Sequence, residues 1–122
     1  MKMFLYVGLG GALGAMARYG ISLIPAKGTF PILTLVTNLL GAILIGVIVG
    51  VVSIREVPAG LTMFLKTGFC GGFTTFSTFS LETLTLFENH QYGQGTLYAG
   101  LSLVLCVLGV LLGKALTMKA LA

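Results

Sequence analysis

Charge is what this sequence has least of. Asp, Glu, Lys and Arg together make up 8% of its 122 residues, and Asp is absent altogether. A soluble domain carries about 25%. Hydrophobic residues account for 57% of the chain and the mean hydropathy is +1.07, so the chain reads as an integral membrane protein. The net charge of +4 comes from seven scattered Lys and Arg that form no patch, which argues against nucleic acid as a partner. Cysteine is also scarce. Cys70 and Cys106 both lie in apolar segments and read as buried free thiols rather than a disulfide framework. HExxH, CxxC, P-loop and GxSxG motifs are all missing, so enzyme chemistry has almost nothing to use. No repeat of about 20–50 residues and no linker divides the chain. It reads as one domain, residues 1–122.

Long apolar runs fill the space that charge leaves. Four spans are expected, at about residues 3–24, 32–53, 60–87 and 96–116, each long enough to cross a bilayer as a helix. The first could be taken for a signal peptide, because Lys2 precedes the run and Ala15-Met16-Ala17 looks like a cleavage site. Its continuation past Ala17 and its glycines, among them the GxxxG pair Gly10/Gly14, suit a packed helix better. Arg18 lies within this span, either as a snorkelling anchor or as an anion-attracting vestibule charge. In the second span Thr34 and Asn38 share a face at i, i+4; Asn38 can bridge helices, line a pore, or both. The fourth span carries Ser102 and Cys106 at i, i+4 and a Gly109/Gly113 pair. His90 stands alone in the polar third loop and reads as a solvated side chain.

Residues 68–82, GFCGGFTTFSTFSLE, organise the rest. Three glycines, five hydroxyl residues and four phenylalanines fall within fifteen positions. Glycine weakens a helix interior by about 1 kcal/mol relative to Ala, and hydroxyls in hydrocarbon need partners. Broken helix and clustered polar groups are tolerated in a membrane only where they are buried in protein or line a cavity. The third span is also too long for one straight crossing. The expectation is therefore a break near Gly71-Gly72, with carbonyls freed there that a monovalent cation could satisfy. Lys66, before the break, can snorkel; Glu82, after it, reads as an end-of-helix residue reaching water. Phe76, Phe79 and Ser80 share one helix face, and Thr75 and Thr78 form a neighbouring hydroxyl pair. Phe at this spacing is often plain packing. Phenyl edges are electropositive, however, and hydroxyls and the Asn38 amide donate hydrogen bonds. Such a lining contacts an anion without trapping it.

GFCGGFTTFSTFS, with GGALGAMARY in the first span and TLVTN in the second, resembles the Fluc (CrcB-type) family of bacterial fluoride channels over the whole chain. The resemblance implies an all-α membrane protein with four transmembrane helices per subunit, assembled as an antiparallel, dual-topology homodimer with two pores in the bacterial cytoplasmic (inner) membrane. It implies passive, fluoride-selective export and fluoride resistance. It further implies a structural Na+ at the dimer centre, held by backbone carbonyls that correspond to Gly71 and Thr74. Pore roles would fall to Phe76, Phe79, Ser80 and Asn38, with Thr75 and Thr78 alongside, and a vestibule role to Arg18. Cys106, Val110 and Lys114 receive no role from it. Charge placement agrees with two-way insertion: Lys2, Arg55, Lys114 and Lys119 against Arg18 and Lys27 is a weak orienting bias. A small multidrug exporter has similar length and span count but needs an acid in the first span, where this chain has Arg18. A non-transporting membrane subunit would not need hydroxyls interleaved with Phe around a helix break.

Overall fold

The computed structural model describes all residues 1–122 and is helical throughout, with no strand. Helix α1 spans Lys2–Ser22 and α2 spans Ile32–Ile54. Pro31 stands just ahead of α2, where a missing backbone N–H is harmless. A composite rod follows. It begins as α3 (Ala59–Thr62) behind Pro58, widens into π-helical turns over Met63–Cys70, and ends as α4 (Gly71–Phe73). After a two-residue gap, α5 (Phe76–Glu88) continues the path, and α6 (Tyr92–Leu121) returns. By length and composition, α2 and α6 are each apolar enough to cross a membrane. At 30 residues, α6 is about 45 Å long. It starts at Tyr92 and overruns the expected fourth span at both ends.

The helices associate in two close pairs, and glycine makes both possible. α1 lies against the composite rod. A Cβ on Gly14 would run into the Phe69 carbonyl, and one on Gly72 into the Gly11 carbonyl. α2 lies against α6, where Gly113 meets the Ile43 carbonyl and Gly46 the Val110 carbonyl. Small residues let backbones touch in this way. The GxxxG faces are thus used inside the subunit. Only 18 of 122 residues are buried, while Phe4, Leu103 and Leu111 are among many large apolar side chains left exposed. That distribution suits helices solvated by lipid or by a partner rather than by water.

The break falls at Thr74-Thr75 rather than at Gly71-Gly72. Thr74 (φ −89°, ψ 156°) and Thr75 (φ −146°, ψ 121°) are extended, whereas Gly71 is helical (φ −62°, ψ −37°). The glycine at position 72 serves close approach to α1, not bending. The bend comes from polar side chains that replace helical hydrogen bonds.

Candidate functional site

The break is built by three residues. Asn38, on α2, engages Thr75 at both ends of its amide: Oδ1 accepts from the Thr75 N–H at 2.9 Å, and Nδ2 donates to the Thr75 carbonyl at 3.2 Å. In an unbroken helix that N–H would bond the Gly71 carbonyl. Diverting it releases Gly71. Thr75 then uses its own hydroxyl as the N-cap of α5, accepting from the Thr78 N–H at 3.1 Å. The Thr74 hydroxyl turns back to the Cys70 carbonyl at 2.8 Å. Arg18, half-buried on α1, donates from Nε to the Gly72 carbonyl at 3.1 Å. Arg18 is therefore tied to the chain end that the break exposes.

Two cavities flank this break. The smaller, about 90 Å³, is lined by Arg18, Thr34, Thr37, Thr75 and Thr78 among others. The larger is a groove of about 900 Å³ between α2, the composite rod and α6, with Asn38, Thr75, Phe76, Phe79, Ser102 and Cys106 on its walls. Gly71 and Thr74 face the same groove. Thr75 borders both cavities.

The predicted aromatic pair divides its duties. Phe76 is 78% exposed and projects from the subunit, with its ring 5.4 Å from that of Phe79. Phe79 is half-buried and lies 5.1 Å from the ring of Tyr98, which is 0% exposed. Ser80 is exposed, lines neither cavity, and donates to the Phe76 carbonyl at 2.9 Å. Within one subunit, Ser80 bonds the Phe76 backbone but lines neither of the cavities that Asn38, Thr75 and Thr78 border.

Glu82 does not reach water as a helix-end residue. It is half-buried and accepts from the Tyr98 hydroxyl at 2.9 Å and the Thr34 hydroxyl at 3.0 Å. Tyr98 in turn packs with Leu35 and Leu86, with Phe30 edge-on at 5.7 Å. The reason is the crossing of three helices: α5 presents Glu82 to donors on α2 and α6, and two charge-assisted hydrogen bonds offset its loss of water. One turn along α6, the Ser102 hydroxyl is buried without a hydrogen-bond partner. Tyr98, Ser102 and Cys106 follow at intervals of four, so one face of α6 was readable in the sequence. Its relation to Glu82, sixteen residues before Tyr98, was not.

A helical protein with exposed apolar flanks, a broken rod and polar groups converging on that break is, as a class, a membrane protein with a polar site at a broken helix. The chain belongs to the CrcB family: the profile described as "CrcB-like protein, Camphor Resistance (CrcB)" matches residues 5–114. It is 46% identical over 114 residues to a protein of Ruminiclostridium cellulolyticum, covering 90% of this chain and 88% of that one. It is 47% identical over 113 residues to a protein of a Ruegeria species, covering 89% of each. Both relatives are named "Fluoride-specific ion channel FluC", and a Bacillus subtilis protein, 43% identical over 93% of this chain and 86% of its own, is "Fluoride-specific ion channel FluC 2". This is a family of channels, not of enzymes.

Proposed function

We propose that the chain is the subunit of a fluoride-selective channel, crossing the cytoplasmic membrane four times and working as an antiparallel homodimer. The observation that supports a conduction path is Thr75, which borders both the Arg18 cavity and the Phe-lined groove at the helix break. The identity of the ion rests on the relatives' names. Fluoride is small and strongly hydrated, so a passage must replace water with close donors. Hydroxyls of Thr75 and Thr78, the second N–H of Asn38, the orphan hydroxyl of Ser102 and the edges of Phe76 and Phe79 supply such donors. None of these carries a full positive charge that would trap the ion. Arg18 serves the vestibule, attracting the anion while bracing the break.

The groove gives the second copy a place to sit. Phe76 stands on its wall, mostly exposed, and an antiparallel partner would close the groove into a passage on each side. A second copy also bears on sodium. The donor chemistry fits a hard cation: the Gly71 carbonyl is released by the Asn38–Thr75 bond, the Thr74 carbonyl lies in the adjoining extended stretch, and both residues face the groove. One subunit offers too few oxygens for a full shell, so two subunits would share the ion. Sodium there would cross-link the two breaks rather than take part in conduction.

Transport needs no coupled energy source. Protonated fluoride enters a cell through lipid and dissociates inside, and an interior negative by 100 mV drives the anion out by about 2.3 kcal/mol per charge. The test is fluoride efflux from liposomes containing only this protein. Rapid fluoride efflux with no comparable chloride efflux is expected. Equal passage of the two, or none of fluoride, would overturn the proposal.

A further inference from the structure

We infer that Lys66, assisted by Lys114, forms an anion-collecting mouth at the end of the groove opposite Arg18; this rests on the channel reading. Lys66 is the one charged residue among those that line the groove, and no carboxylate accompanies it there. It is exposed and lies on the π-helical part of the rod. Lys66 lies seven positions after Ala59, about 10 Å from the rod's start. Side chains lean toward the start of their helix, so its stem carries the ammonium back toward that end. A lysine on a membrane helix is costly where it faces lipid alone, and the groove offers Lys66 an alternative. On the opposite wall, Val110 lines the groove and Lys114, also exposed, follows it by one turn on α6.

The surrounding charged side chains are mostly of the same sign. α1 and α3 start at this end of the molecule, and α2 and α6 finish there, with Arg55 Nη2 donating to the Leu121 carbonyl at 3.4 Å. Lys2, Arg55 and Lys119 therefore lie toward the same end as Lys66 and Lys114, with Glu56 as the acidic side chain there. Clefts of one sign with low-dielectric walls focus field and raise the local concentration of the opposite ion. The ammonium groups stand apart from the Asn38–Phe76 region, so they can collect an anion at the mouth without holding it in the passage. In an antiparallel pair each face of the membrane would receive one such mouth.

The experiment measures fluoride efflux in liposomes of neutral phosphatidylcholine, at low fluoride, with and without added impermeant salt. Screening shortens the reach of the charges, so added salt should slow the wild-type protein. Lys66→Gln with Lys114→Gln should slow efflux about tenfold at low salt, with a smaller difference at high salt, and Lys66→Arg should restore most of the loss. A wild-type rate indifferent to salt would overturn the inference without any variant. So would wild-type efflux from an intact Lys66→Gln/Lys114→Gln dimer, which would leave both lysines as lipid-phosphate anchors. A wild-type protein that passes no fluoride would remove the channel reading and this inference with it.

Discussion

Asn38 uses both ends of its amide on one residue, and substitutions there separate its two duties. Asn38→Ala leaves the Thr75 N–H and carbonyl without their partners, a cost of about 1–3 kcal/mol for each unsatisfied group when buried, and less here because the site is half-buried. It should lower both the unfolding midpoint and fluoride flux. Asn38→Asp keeps an acceptor for the Thr75 N–H but sets a negative charge on the passage; flux should fall more sharply than stability. Normal flux through a folded Asn38→Asp protein would take Asn38 out of the path. The phenylalanines divide in a similar way. Phe76→Ile should leave subunit stability unchanged, because the ring is 78% exposed. Phe79→Ile loses the ring contact with Tyr98, worth about 0.5–1.5 kcal/mol. Both should cut fluoride flux strongly, since isoleucine keeps bulk and lacks the electropositive edge. Flux at wild-type rate in both variants would sink the ring-edge mechanism.

Between elements, glycine sets the spacing and threonine sets the break. Gly14→Ala drives a methyl into the Phe69 carbonyl, and the helix backbones cannot yield cheaply. Overpacking of this kind costs about 1–3 kcal/mol, so a clear fall in thermal stability in detergent is expected. Gly20→Ala is the matched control: it lies on the same helix with open space around it, and alanine there should be neutral or stabilising by up to about 1 kcal/mol. Thr75→Ala removes the cap of α5, at about 1 kcal/mol, and should loosen the register of Phe76 and Phe79. A Gly20→Ala variant that suffers as much as Gly14→Ala would show that spacing is not what Gly14 provides.

At the scale of the molecule, the large groove is the face that the proposed second copy would cover. Gly71 has nothing within reach of an added methyl in the subunit, yet it faces that groove. Gly71→Ala should therefore leave the fold intact and weaken the dimer, read as a shift toward monomer in gel filtration. An undisturbed dimer would place the interface elsewhere. Single-cysteine labelling from the two sides of the membrane should find every terminus on both sides. A single location would exclude inverted subunits. Replacing sodium should destabilise the dimer before it alters ion selectivity, because carbonyls at the break would hold the two chains together.

Composition and periodicity by themselves determined that this chain is membrane-helical and that residues 68–82 are its unusual part. They also pointed to Asn38 and Arg18, while the weight on Phe76 and Phe79 came from the TTFSTFS motif. These are local properties: a scarcity of charge, a run of apolar residues, or a Phe at i, i+3 is visible without knowing what packs opposite. Where the break falls was decided only in three dimensions. Gly71-Gly72 has the weaker helix propensity, but Asn38 reaches Thr75 from thirty-seven residues away and captures its backbone. Glu82 looked like a surface acid because its donors, Thr34 and Tyr98, lie on other helices. The glycine pairs promised close packing without naming partners; the tertiary structure assigned them to contacts within the subunit. It also placed Lys66 in a groove lined by no acid. Hydrogen-bond exchange and backbone contact act between segments distant in sequence, and no reading of neighbours along the chain contains them.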